Sequence, residues 1–193
     1  MLSIVTLAWI ATLGPAPAPP AIGSRVPDFA LSDVNDRQHS LYGFKGKRAV
    51  VVVFVSAECP ISNLYQPTLV ALNKEFAAKQ VQFLTMYSND QDDLPSVIAH
   101  VRERKLPFPA FKDVGHKAAD ALGARRTPEA FLLDSEHIIR YRGRIDDQYG
   151  YTYRRPAPTH KDLKAALEEL LAGKPITTAE TEVLGCVIGR DSK

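Results

Sequence analysis

Apolar residues fill Val50-Val51-Val52-Val53-Phe54-Val55 without a polar interruption, and after Cys59-Pro60 the period changes. Six consecutive strand-formers with no alternation predict a strand covered on both faces, as in a sheet flanked by helices. Beyond Pro60 the apolar positions are Ile61, Leu64, Tyr65, Leu69, Leu72 and Phe76, the three- and four-residue steps of a helix running to about Lys79. Pro60 suits a first helical turn, where its missing N–H has no partner to lose. Pro67 removes a bond to the Asn63 carbonyl and predicts a kink.

The same reading continues along the chain. Gly23 to Leu31 and Ser40-Leu41 predict two short strands around a polar turn, and Val81 to Tyr87 a strand. Leu94 to Lys105 predicts a helix with Leu94, Val97, Ile98 and Val101 on one face. An extended piece ends at Asp113, and a brief helix from His116 to Leu122 stops at Gly123. Phe131 to Asp134 and Ile138 to Tyr141 predict a hairpin. Thr159 is placed to cap a last helix with the stripe Leu163, Leu167, Leu170 and Leu171, ended by Gly173. Strands alternating with helices, then a hairpin and a final helix, predict an α/β protein: a central mixed sheet flanked by helices.

Length changes the picture little: 193 residues predict one domain. We divide the chain into a signal-like or linker segment at 1–22, a domain at 23–172 and a tail at 173–193. Leu2 to Leu13 is too short to span a membrane and fits the apolar core of an export signal, followed by an Ala16-Pro17-Ala18 triplet. No Lys or Arg precedes it and prolines crowd the cleavage points; the alternatives are an uncleaved lipid-facing anchor or a disordered apolar tail. The expectation is an exported protein, periplasmic or secreted, with membrane proximity through this segment. A net charge of +2 argues against a nucleic-acid surface.

Two cysteines exclude a disulfide-dense scaffold and a four-cysteine zinc site but permit one redox pair. Cys59 stands where free backbone N–H groups and the positive end of a helix dipole favour thiolate, the reactive form. Glu58 beside it opposes ionisation, and Arg125 or Arg126 would offset this if aimed at the site. Cys186, 127 residues downstream on a Gly- and Thr-containing tail, is the one internal candidate for a second thiol. Asp146-Asp147 reads as a solvated turn, with a metal or a loop cap as alternatives. His39, His100, His116, His137 and His160 lack ligand spacing and default to surface or capping roles. Tyr149, Tyr151 and Tyr153 with Arg154-Arg155 read as a loop covering the edge of the sheet. No cofactor or metal is expected.

The order Pro27-Asp28-Phe29, the Val50–Phe54 strand, Cys59-Pro60 with its long helix, and Thr127-Pro128 before Phe131-Leu132-Leu133-Asp134 resembles the thioredoxin-fold redoxins. The likeness covers roughly residues 23–172. It is nearest to the alkyl hydroperoxide reductase/thiol-specific antioxidant group, which includes peroxiredoxins, and to periplasmic thiol–disulfide proteins. The resemblance implies a cis Pro128 facing Cys59 and backbone groups of Thr127 offered to an incoming chain. It implies that Ser56, three residues before Cys59, would hydrogen-bond a bound peroxide. The chain departs from the pattern in several places. Ser62 stands at the second cysteine of C-x-x-C, Asn63 at that of C-x-x-x-C, and Glu58 at the tryptophan before the first cysteine. Val52 replaces the peroxiredoxin proline, and the peroxidatic arginine finds only Arg125 and Arg126 near its place. The expected activity is that of a thiol-dependent oxidoreductase: Cys59 attacks a peroxide or protein disulfide, Cys186 resolves it, and an external thiol supplies electrons. The alternative is a non-catalytic binding module with a structural Cys59–Cys186 disulfide.

Overall fold

The computed structural model describes residues 19–190. The signal-like run Leu2–Leu13 and its Ala16-Pro17-Ala18 triplet lie outside them. Strands β1 (Ala30–Ser32) and β2 (Gln38–Ser40) form a short antiparallel hairpin, smaller and later than Gly23–Leu31 implies. Gly23 to Val26 is instead bonded to the start of the later hairpin's second strand, Gly23 N–H to Ile139 O at 2.8 Å and Val26 N–H to His137 O at 2.9 Å, while the Asp33 carboxylate ends β1 by accepting from the Asn35 and Arg37 N–H groups at 2.8 and 3.0 Å.

The main sheet is built from β3 (Ala49–Val55), β4 (Val81–Tyr87), β5 (Ala110–Lys112), β7 (Glu129–Asp134) and β8 (Ile139–Gly143). Between β5 and β7 lie α3 (Lys117–Leu122) and the two-residue β6 (Arg126–Thr127). The order across the sheet is β5-β4-β3-β7-β8; β3, β4 and β5 run parallel, while β7 and β8 are antiparallel to their neighbours. All seven β3 residues are buried. Val51, Val53 and Val55 point into a core with Tyr65, Leu69 and Phe76 of α1 (Pro60–Phe76), Val97 of α2 (Leu94–Arg104), and Leu163 and Leu167 of α4 (Asp162–Leu171). Val50, Val52 and Phe54 point the other way, onto Leu41, Leu122 and Ile188. Two cores on opposite faces explain why the strand shows no alternation.

Helix α1 continues through Pro67, and a single 3-10 turn, Ala77–Lys79, follows it. Helix α4 begins at Asp162 after Lys161, and no side chain caps it. Thr159 instead hydrogen-bonds the Asp147 carboxylate through both its N–H and its hydroxyl. Asp146 and Asp147 are accordingly buried, not a solvated turn. Asp147 gathers the N–H groups of Thr159 (2.7 Å) and His160 (2.9 Å), so it acts as a loop cap; burial raises its carboxyl, but these bonds and others hold it below the carboxylate range.

The edge of β8 is lined by the tail, not by the tyrosine loop: Arg142 N–H donates to Ala179 O at 3.0 Å and Thr181 N–H to Arg142 O at 3.1 Å. The loop folds toward α1, where Tyr149 meets Tyr65 edge to face at 4.8 Å. Beyond that edge the tail returns to the body as β9 (Cys186–Val187), antiparallel to β6.

Candidate active site

Cys59 is the N-cap residue of α1, with Pro60 in the first turn. It lies at the end of the most protected strand, one tight turn beyond β3, and only 2% of its surface is exposed. The turn is pinned from outside. The Ala57 N–H donates to Asp92 Oδ1 at 3.0 Å, and Asn63 Nδ2 donates to Ala57 O at 2.8 Å. Ser56 is buried, and its hydroxyl accepts from the Glu58 N–H at 3.3 Å, holding the same turn. Glu58 itself is exposed.

Across from Cys59 lies the cis peptide Thr127–Pro128. Its loop is fixed by Glu129, whose Oε2 accepts the N–H groups of Arg125 and Arg126 at 2.8 and 3.0 Å. The Cys59 Sγ–H reaches the Thr127 carbonyl at 3.2 Å. The Thr127 hydroxyl is fully buried and has no other hydrogen-bond partner, so it is free to turn its proton to the sulfur.

The tail completes the site. Thr127 and Cys186 are paired residues of the β6–β9 ladder, which sets the second thiol beside the first. Both thiols are free, Cys59 buried and Cys186 exposed. Burial raises the Cys59 thiol, yet hydrogen bonds from the Cys186 thiol, the Ser62 and Cys186 N–H groups and the Thr127 hydroxyl outweigh it and leave the pKa lowered. The Thr127 carbonyl favours the protonated form; four donors against one acceptor favour the anion. Cys186 is displaced oppositely, pushed up to about 11 by burial, by its hydrogen bond to Cys59 and by the Cys59 charge. The proton between the two sulfurs is shared unequally: Cys59 ionises the more readily and Cys186 the less.

Arg126 lies on the tail side of this pair. Its Nη1 donates to Gly185 O and to the Tyr151 hydroxyl, both at 2.9 Å, and its charge acts on Cys186. Arg125 fixes the tail through its backbone, accepting the Ile188 N–H at 2.9 Å. The structure thus gathers Cys59, Thr127, Pro128, Arg126 and Cys186, with Ser56 in the supporting turn.

Three features of this neighbourhood arise only from the tertiary structure. Asn63 Oδ1 lies 2.7 Å from His100 Nε2, and His100 Nδ1 lies 2.9 Å from the Tyr87 hydroxyl. Because Asn63 Nδ2 donates to Ala57, its Oδ1 accepts, which puts the imidazole proton on Nε2 and makes Tyr87 the donor to Nδ1. His100 and His137 are buried, not surface residues. For His100, burial and then the nearby Arg104 charge keep the ring's pKa below its ordinary value. The second feature is Gly185: a Cβ there would come within 2.1 Å of Thr127 O and 3.2 Å of Pro128 N, so the tail backbone lies directly against the cis peptide. The third is Ser62, fully buried with its hydroxyl unpartnered at the position a C-x-x-C pair would use. Among the described residues, no group of His, Cys, Asp and Glu is arranged to hold a metal.

Comparison with known proteins agrees with this geometry. Thiol-disulfide oxidoreductase ResA of Geobacillus thermodenitrificans is 28% identical over 120 residues, 62% of this chain and 67% of that protein. Peroxiredoxin Q of rice, Oryza sativa subsp. japonica, is 26% identical over 126 residues, 62% of this chain and 57% of that protein. The chain therefore spans about two thirds or less of these relatives. A crystal structure of a hypothetical protein from Sinorhizobium meliloti 1021 superposes with a TM-score of 0.83 at 31% identity, covering 90% of this chain and 97% of that one. More distant solved structures, a peroxidoxin and a thioredoxin domain among them, share the thioredoxin-like fold expected from the sequence. The AhpC/TSA family model matches residues 22–142, more than half of the sequence, and the chain belongs to the AhpC/TSA family.

Proposed function

We propose that the protein is a two-thiol oxidoreductase in which the Cys59 thiolate is the nucleophile and Cys186 the resolving thiol. The observation that carries this is the meeting of two free thiols at one cis-proline loop: Cys59 Sγ lies 3.2 Å from the Thr127 carbonyl, and Cys186 is the strand partner of that same Thr127. The opposed directions of their ionisation, easier at Cys59 and harder at Cys186, support Cys59 as the first attacker, since thiol exchange begins with an anionic sulfur. Membership of the AhpC/TSA family, and relatives named as a thiol-disulfide oxidoreductase and a peroxiredoxin, support the same chemistry.

With a hydroperoxide, Cys59 sulfur attacks one oxygen, the O–O bond breaks, and the alcohol or water leaves after taking a proton; Cys59 becomes the sulfenic acid. The Cys186 thiol then attacks that sulfur, forming the 59–186 disulfide and releasing water. With a disulfide, Cys59 displaces one thiolate to form a mixed disulfide, and Cys186 displaces the other. An external dithiol returns two electrons and two protons in either case. Thr127, Pro128 and Ser56 are assigned to positioning around the reacting sulfur, and Arg126 to holding the tail. We assign the redoxin body to residues 23–172 and the tail from 173 as its working appendage. The apolar Leu2–Leu13 run supports export, with membrane proximity, as the setting.

The test is stopped-flow oxidation of the reduced protein by hydrogen peroxide, followed by mass spectrometry of wild type, Cys59→Ser and Cys186→Ser. The expected product is an intramolecular 59–186 disulfide in wild type, a sulfenic acid or its adduct in Cys186→Ser, and no reaction in Cys59→Ser. A 59–186 bond that strong dithiols fail to reduce, or a Cys59 inert to both peroxide and disulfide, refutes the proposal.

A further inference from the structure

The segment lying over the Cys59 sulfur belongs to the protein's own tail. Thr127 presents a short strand edge beside Cys59, and Cys186 is hydrogen-bonded along it as an extended strand with its sulfur toward Cys59. An extended polypeptide that brought a disulfide to Cys59 by strand addition would need the same N–H and C=O groups of Thr127. Two strands cannot pair with one edge at once. A hydroperoxide or a small disulfide has no such need.

We infer that β9 acts as an in-cis strand filling the polypeptide-docking edge, so that Cys59 is biased toward small oxidants and against extended protein disulfides. This rests on the reading of Cys59 as the nucleophile and narrows its substrate class.

The seating of the tail is built, not incidental. Gly185 fits against the cis peptide only because it lacks a Cβ. Its carbonyl accepts from Arg126 Nη1 and from the Tyr151 hydroxyl at 2.9 Å each, and its N–H donates to that hydroxyl at 3.2 Å. On the far side, Ile188 is buried in the second core and the Gly189 N–H donates to Asn89 Oδ1 at 2.6 Å. The strand is thus clasped at both ends, with Cys186 between.

The experiment uses the full chain carrying Cys186→Ser, so that the Cys59 mixed disulfide accumulates. Two reagents share one leaving group: bis(2-hydroxyethyl) disulfide, and an extended peptide whose single cysteine is bonded to 2-mercaptoethanol. Cys59 sulfur attacks, the reagent's S–S bond breaks, a Cys59–S–S bond forms, and the thiolate leaves and is protonated. Quenched samples are read by mass. Adding Gly185→Val should raise the peptide rate at least about tenfold, the order expected from freeing one or two backbone hydrogen bonds, and the small-disulfide rate far less. Arg126→Ala with Tyr151→Phe, which loosens the clasp through partly exposed side chains, should act in the same direction, and circular dichroism verifies that each variant is folded. A peptide rate unmoved in both folded variants overturns the inference, as does an equal rise for both reagents, which would make the tail a general cover. Independently of thiol reactivity, Cys59→Ser protein should bind the labelled, reduced peptide by fluorescence anisotropy with Gly185→Val and not without it. Equal binding overturns the inference even if Cys59 proves reactive, while an inert Cys59 refutes the proposed chemistry and leaves the edge to be judged by anisotropy.

Discussion

Asn63→Ala removes the residue that ties the Cys59 turn to the buried Tyr87–His100 pair. In the native protein the Asn63 side chain makes two hydrogen bonds, to Ala57 O at 2.8 Å and with His100 Nε2 at 2.7 Å. Each is worth about 1 kcal/mol net, and a buried donor left unpaired costs about 1–3 kcal/mol more. The His100 N–H is that donor, since His100 is 7% exposed and burial keeps it neutral. The Ala57 carbonyl, beside a half-buried residue, can be rehydrated. Together these terms give a loss of about 3–5 kcal/mol. For a chain of this size each kcal/mol corresponds to about 2–4 °C, so the melting temperature should fall by roughly 6–20 °C. Thermal unfolding of the reduced protein followed by circular dichroism reads this directly. Tyr87→Phe, which removes one hydroxyl at the far end of the chain, should cost about half as much or less. The two changes should be non-additive, because both act on His100. A loss below about 0.5 kcal/mol for Asn63→Ala, or strict additivity with Tyr87→Phe, would show that the three side chains do not act as one network.

Other outcomes follow from the same geometry. Cys186→Ala removes the thiol that donates to Cys59, so the ultraviolet thiolate titration of Cys59 should move upward toward the ordinary thiol value and the wave near pH 11 should vanish; an unmoved Cys59 titration would contradict the shared proton. His100 and His137 both have pKa values held below 6.5, chiefly by burial, so the unfolded chain binds protons first as acid is added. Urea midpoints should therefore be level above about pH 6.5 and fall as the pH drops through and below that value, and His100→Gln should flatten part of the slope. Phe131→Ala deletes a fully buried ring packed edge to face on Phe54 at 5.6 Å, and should cost about 3–5 kcal/mol in chemical denaturation. A cost under about 1 kcal/mol there would mean that the second core repacks freely.

The parts of the fold legible in the sequence are those with a local hydrophobic pattern. Val50–Val55 announces a doubly covered strand because every residue meets one core or the other, and Pro60 with Leu69 and Phe76 announces the helix that covers one face. Cys59 is legible because its position at a helix start is a local property. The rest of the site is long-range. Nothing near Asn63 signals that it meets His100, and nothing near Asp147 signals that it will gather Thr159 and His160, so that Thr159 leaves the helix-capping role its spacing suggests. The pairing of Cys59 with Cys186 is foreseeable by elimination, since only two cysteines exist. The means of pairing is not: a two-residue strand leaves no hydrophobic pattern, and the requirement for glycine at 185 comes from a backbone brought in from Thr127.

The two sulfurs ride on backbone of unequal tenacity. β3 is bonded on both sides within a five-stranded sheet, whereas β9 is two exposed residues held along one edge. Local opening energies in proteins follow such differences, from near zero at lightly held segments up to the global value at central strands. Warming or mild denaturant should therefore lift the terminal ribbon first, with amides around Cys186 exchanging with solvent deuterium while those of Val51–Val55 remain protected. An alkylating reagent would then silence the nucleophile at temperatures where the body of the molecule is still intact.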